Sequence, residues 1–271
     1  MVKRIWLPRI SSSKLKCNLE LIHKLKAKII IMLIFCCWLQ ITGAQVYIEL
    51  GPVQNNRDAF SSVTVYGSDG LKHTVPYSEI AGSAFWQDDW SRAYLYDQRD
   101  TFLGIYRARL NFVTNELHYL DKTGVERAAL PGTLNRIVFM KNTDSTAIAT
   151  VFKANIEEIS KRASCKKCFV QELNQGDVKL LKMTNRVLKT KDSLFGTIKR
   201  FFFYDEVEYY LQYNEKFEKI KKLNKENLFS LLPNSSSYNS WILEQTLQFK
   251  KENDFIYFIN YYNSARQKDL R

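Results

Sequence analysis

Two cysteines three residues apart, Cys165 and Cys168, have a type and spacing that can do chemistry. Such a pair can ligate a metal, cycle between dithiol and disulfide, or close a turn as a crosslink. Structural zinc needs four ligands, usually two such pairs or one pair with two histidines. Beyond residue 44 the other candidates are His73 and His118, which lack metal-ligand spacing, so no metal is expected and both histidines read as strand or surface residues. A thioredoxin-like dithiol sits at the start of a helix that follows a strand, where the dipole and free amides favour the thiolate. Here the order is inverted: helical spacing precedes the pair and a strand pattern follows it. Lys166 and Lys167 would favour a thiolate, so a periplasmic thiol–disulfide oxidoreductase remains the alternative reading. A structural disulfide is the leading one.

Other catalytic chemistries lack their residues. The chain has no Gly-x-Ser-x-Gly, no P-loop and no Gly-x-Gly-x-x-Gly. Asp88 and Asp89 are adjacent, and on a strand they would face opposite sides, which does not suit a glycosidase pair. They read as an acidic loop beside Trp90. Lys216, Lys219, Lys221, Lys222 and Lys225 near Phe217, and Lys199-Arg200 before 201–204, interleave charge with aromatics as single-strand nucleic-acid binders do. Glu215, Glu218 and Glu226 dilute that charge, and a solvated face is the expectation. No catalytic residue and no cofactor is expected.

The formal charge of +12 also points away from nucleic acid once it is located. Residues 1–44 hold eight of the 40 Lys and Arg and one of the 28 Asp and Glu, so the remaining 32 basic and 27 acidic residues are nearly balanced. The leader has its own logic. Lys24, Lys26 and Lys28 precede an uncharged apolar run at 29–39, and Thr42-Gly43-Ala44 then offers small residues before Gln45. A basic segment, a short apolar segment and a small-residue site compose a secretory signal peptide, cleaved between Ala44 and Gln45. Eleven apolar residues fall short of the roughly 20 that a membrane-spanning helix needs. Residues 1–23 are a long extension for such a signal and fit either a mis-annotated start or a leader retained as an uncleaved anchor. An oxidising destination favours the disulfide. No membrane span is expected in the mature chain.

The elements that position these residues follow from periodicity. Alternation at 63–66, 71–77, 93–96, 102–108, 116–120 and 136–140, with turn residues at 68–70, 97–100, 114–115 and 121–124, predicts an antiparallel meander or barrel-like unit over 45–142. Residues 143–163 are a connector in which 147–152 could form another strand and 154–162 a helical turn or two. The stretch 164–271 predicts strands at 168–173, 178–182, 201–204, 206–213 and 217–223. Helices then follow at 226–232, 235–247 and from 253 or 254, where Phe255, Phe258, Ile259 and Tyr262 share a face. The expected class is α+β and β-rich, with a small antiparallel second sheet and C-terminal helices.

The order of several motifs resembles a group of secreted Bacteroidetes-type proteins without an assigned function. Gly82-Ser83-Ala84-Phe85-Trp86-Gln87-Asp88-Asp89-Trp90 is similar to their "GSPFLFDEW" opening, and Asn115-Glu116-Leu117 ends strands like theirs. Residues 171–182 resemble their "EVLNEGKVKLLK" hairpin, and Tyr261-Tyr262-Asn263 their closing "YYN". The resemblance covers most of 80–264, implies export and a β meander, and carries no activity. Together these readings give an exported, non-enzymatic envelope protein that binds or scaffolds, with an envelope polymer or another envelope protein as partner. Nucleic acid is not an expected partner. A glycan-binding module using exposed Trp86, Trp90 and Tyr94 is the other alternative.

Overall fold

The computed structural model describes residues 61–66, 72–129, 132–140, 149–154, 156–161, 163, 165, 168–192 and 199–269. The leader, its Ala44–Gln45 site, the Asp69-Gly70 turn, and Lys166 and Lys167 lie outside them. A two-stranded antiparallel sheet pairs β1 (Ser62–Tyr66) with β2 (Lys72–Pro76). The remaining strands join one 11-stranded mixed sheet. They are β3 (Ile80–Ala81), β4 (Ser91–Asp97), β5 (Phe102–Asn111), β6 (Glu116–Leu120), β7 (Glu126–Ala128), β8 (Leu134–Phe139), β9 (Thr150–Lys153), β10 (Val170–Glu172), β11 (Lys179–Asp192), β12 (Lys199–Tyr213) and β13 (Lys216–Ile220). The order is β13-β12-β11-β10-β9-β8-β4-β5-β6-β7, and β3 adds the parallel pairing by lying along Phe201 and Phe202 of β12.

Two expectations change here. The path ends at β7 on one side and β13 on the other, so the first unit is an open part of a larger sheet and not a closed barrel. The second sheet is not separate either. β9 pairs antiparallel with β10, Val151 opposite Glu172, and so carries hydrogen bonding across the expected 143–163 connector. The two halves remain distinct in their cores. Alternation along β4, β5 and β8 turns Ala93, Leu95, Leu110, Ile137 and Phe139 into one apolar cluster. Val178, Leu180 and Leu211 join the C-terminal helices in another.

Adjacent leucines explain the layering of the second half. Leu180 and Leu181 are both fully buried, although neighbours on a strand point to opposite faces. Leu180, paired with Leu211, packs under the helices, whereas Leu181, paired with Tyr210, packs under α1 (Glu157–Ser160) and the cysteine loop. The strand is therefore covered on both sides, which is why its sequence does not alternate. The helical layer consists of α2 (Lys225–Phe229), α3 (Asn239–Glu244) and α4 (Glu252–Asp269). Asn224 caps α2 by accepting the Asn227 N–H at 2.9 Å, and Pro233 follows shortly after its end. Residues Phe255, Phe258, Ile259 and Tyr262 of α4 are all buried, as their spacing requires. Among the described residues no helix is long and apolar enough to cross a membrane.

Candidate functional site

The cysteine pair lies where its sequence context puts it, after α1 and before β10. Cys165 and Cys168 are bonded, with Cα atoms 5.5 Å apart. Cys168 is 6% exposed and, with Ile159, Val170, Leu181, Met183 and Tyr210, forms the small apolar cluster on the α1 side of the sheet. Cys165 packs at its margin, and Asn115 Nδ2 approaches its sulfur at 3.6 Å. Reactive cysteines occupy partly exposed, electropositive positions, commonly at a helix N-terminus. The helix here ends before the pair, and the second sulfur is enclosed. The bond ties Cys165 to Cys168, which packs against Val170 of β10 and Leu181 and Met183 of β11.

The three aromatic candidates separate. Trp86 is turned into the first core, its ring 5.2 Å from Phe139 and 5.0 Å from Phe152. Its backbone N–H donates to Leu110 O at 2.8 Å, which fixes the loop beside β5. Trp90 is half-buried with the Arg109 guanidinium 4.5 Å over its ring. Tyr94 alone belongs to an outward face, because Ala93 and Leu95 on either side of it point inward. The expected contiguous face of Trp86, Trp90 and Tyr94 is therefore replaced by another. Core packing has claimed Trp86.

That other face is built by alternation and one cross-strand ion pair. Tyr94 and Tyr96 share the outer side of β4, and Phe102 enters beside them from β5, 6.0 and 5.6 Å from the two rings. Phe102 is 49% exposed. Arg136 of β8 lies 3.6 Å over the Tyr96 ring and is itself held by Asp100, whose two oxygens accept from Nε and Nη2 at 2.8 Å each. The Arg136 hydrogen bond, which outweighs a small desolvation effect, holds the Asp100 carboxyl below its ordinary range. Asp100 occupies a left-handed turn position, φ 60°, common for Asp and Asn. Tyr96 and Phe102 were legible as strand residues, but which face they shared depended on the bulge between Leu95 and Tyr96.

A buried polar cluster on β5, β6 and β7 escaped the sequence reading. His118 is fully buried, and its Nδ1 lies 2.7 Å from Glu126 Oε1. Arg109 Nη2 donates to both Glu126 oxygens at 2.9 and 3.1 Å. The guanidinium is layered against Phe85 at 3.8 Å as well as Trp90, and the Phe85 ring meets His118 edge-on at 5.4 Å. A His–Glu pair can move protons, yet aromatic rings occupy the approach, and the cluster reads as an internal polar network in which Arg109 Nε is buried without a hydrogen bond. No regular spacing joins residues 109, 118 and 126. Only the register Arg109 opposite His118 and His118 opposite Ala128 brings them together. Among the described residues no three His, Cys, Asp or Glu side chains are gathered as metal ligands.

Comparison with known proteins found no matching family model, no matching curated protein and no matching solved structure.

Proposed function

We propose that the chain is an exported cell-envelope protein that binds a glycan and catalyses no reaction, with the outer face of β4, β5 and β8 as its contact surface. The observation that carries this reading is the cluster of Tyr94, Tyr96 and Phe102, whose rings lie together at the surface with Phe102 half in water. Clustered apolar surface of this kind marks binding sites more often than scattered single residues do. Tyrosine joins an apolar ring to a hydrogen-bonding hydroxyl, which suits a sugar with an apolar C–H face and a rim of hydroxyls. The ion-paired Arg136 stacked on Tyr96 keeps that ring in place before a ligand arrives.

Export rests on the leader pattern at 1–44 and on the resemblance to secreted Bacteroidetes-type proteins. An envelope polymer, or another envelope protein carrying the same sugars, is the expected partner. The bonded cysteine pair, with Cys168 enclosed and, among the described residues, no helix beginning at it, favours a crosslink over the oxidoreductase alternative.

A glycan array probed with the exported chain, followed by titration of any hit, tests the reading. Phe102→Ala and Tyr94→Ala should each weaken binding at least ten-fold while leaving the melting temperature nearly unchanged. Undiminished binding by both variants would remove the ring face from consideration. Intact-mass measurement of the exported chain should give a species beginning at Gln45, and a retained leader would count against cleavage.

A further inference from the structure

Arg92 of β4 and Arg107 of β5 stand directly opposite each other in the antiparallel register. Both are exposed, and like charges in that relationship oppose strand pairing. On the other side of Arg92 its carbonyl accepts from Met140 N, so no acidic cross-strand residue balances it there. Nearby arginines are treated differently: Arg109 has Glu126, Arg127 has Asp121 and Arg136 has Asp100. Among the described residues no carboxylate forms an ion pair with Arg92, Arg107 or Lys122.

These three cations line one open groove of about 430 Å³ with Ile105 and Leu120 on its apolar side. Asp121 also lines it, but its carboxylate is already engaged. Oδ1 accepts from Thr123 Oγ1 at 2.6 Å and from the Thr123 and Val125 N–H groups, while Oδ2 accepts from Arg127 Nε at 2.9 Å. The groove adjoins the ring cluster, because the Arg92 guanidinium lies 5.7 Å from the Tyr94 ring centroid.

We propose that Arg92, Arg107 and Lys122 bind the anionic oxygens, carboxylate or sulfate, of an acidic glycan whose neighbouring sugar lies on the Tyr94–Phe102 face. Two guanidinium forks side by side match planar or tetrahedral oxyanions with paired hydrogen bonds, and the anion relieves their mutual repulsion. Lys122 adds a mobile point charge from the β6–β7 turn. This assignment rests on the glycan reading for its ligand class and narrows that class to charged polymers.

The test compares wild type, Arg92→Gln, Arg107→Gln and Phe102→Ala by titration calorimetry. The probes are oligogalacturonate, which carries carboxylates, a heparin oligosaccharide, which also carries sulfates, neutral cello-oligosaccharide, polyglutamate and a DNA duplex. Wild type should bind at least one charged oligosaccharide ten-fold or more tightly than the neutral one, and full binding of oligogalacturonate shows that carboxylates suffice. Each arginine variant should weaken that binding at least ten-fold and reduce its salt dependence, with a ligand-free melting temperature equal to or above wild type. If both arginine variants keep full affinity while Phe102→Ala loses it, the anion site is overturned and the ring-face reading survives. Absence of binding to every oligosaccharide overturns both. Equal or tighter binding of polyglutamate or DNA overturns the assignment to a glycan.

Discussion

Asn263 holds both backbone groups of Val178: its Oδ1 accepts the Val178 N–H at 2.9 Å, and its Nδ2 donates to Val178 O at 2.8 Å. A side-chain amide on α4 thus stands in for a missing strand partner at the start of β11. Asn174 completes the junction by donating to Val178 O and accepting from Leu180 N. Gly176 leaves room for this arrangement. A Cβ there would lie 2.5 Å from Asn263 Nδ2, and its φ of +119° disfavours any other residue.

Replacing Asn263 by alanine strands the buried Val178 N–H, at a cost of about 1–3 kcal/mol. For a domain of this size that corresponds to a fall of roughly 3–10 °C in melting temperature. Gly176→Ala should destabilise too, and the double variant should lose less than the sum because the clash needs the amide. Thermal denaturation of the four proteins checks this, and strict additivity would show that the two positions act independently.

The second half of the fold shows what sequence could and could not convey. Buried spacing in α4 and the turn at Asn214-Glu215, both at positive φ, were plain in the residues. The full length of β11 and β12 was not, because Asn185, Lys189 and Lys191 are poor strand signals that succeed only as partners of a long neighbour. One sheet spans both halves because β9 and β10 pair, and nothing local in either strand announces its partner. The candidate site divides the same way. The cysteine pair was visible from spacing, but its reading as a crosslink drew on the missing partner ligands and on the strand that follows it. The ring face and the Arg92–Arg107 groove needed the register of β4 against β5, which a bulge shifts.

Glu126 makes stability depend on acid. Burial alone would raise its carboxyl pKa, but the hydrogen bonds from His118 and Arg109, aided by their charges, outweigh it and hold the group below its ordinary 4.5. A depressed folded value means that the contribution is complete above pH 4.5 and is lost as pH falls through that folded value. Melting temperature should therefore decline below about pH 4.5, and Glu126→Gln should lower it at pH 7 while flattening this acid limb. An unchanged acid limb in the variant would assign the decline to other carboxylates.

Arg186 ties the 83–86 loop to the long ribbon. Its Nη1 donates to Ser83 O and Phe85 O at 2.6 and 2.8 Å, while Nε and Nη2 grip Asp205. Lysine cannot reproduce two forks at once. Arg186→Lys should accelerate hydrogen exchange at 83–86 and lower stability by about 1–3 kcal/mol, the cost of charge-assisted hydrogen bonds. Protection equal to wild type would mean that the Trp86 ring and the backbone hydrogen bonds to Leu110 and Phe112 secure the loop without Arg186.

The cysteine pair separates two functional classes in one measurement. As a crosslink between residues three apart, it closes a very small loop, and chain entropy assigns it roughly 2 kcal/mol. Cys165→Ser/Cys168→Ser should fold, melt a few degrees lower and leave the proposed glycan binding at the Tyr94–Phe102 face unchanged, because that face is built by other strands. Alkylation of the chain under denaturing conditions should label neither Cys165 nor Cys168 until a reductant is added. A dithiol that reduces a model disulfide, with a thiol titrating well below the ordinary cysteine range, would instead establish catalysis. Such a thiol needs solvent access, whereas Cys168 packs among Ile159, Val170, Leu181 and Met183. The expected outcome is therefore an oxidised pair that resists mild reductant in the folded chain and yields to it once denaturant exposes the cluster.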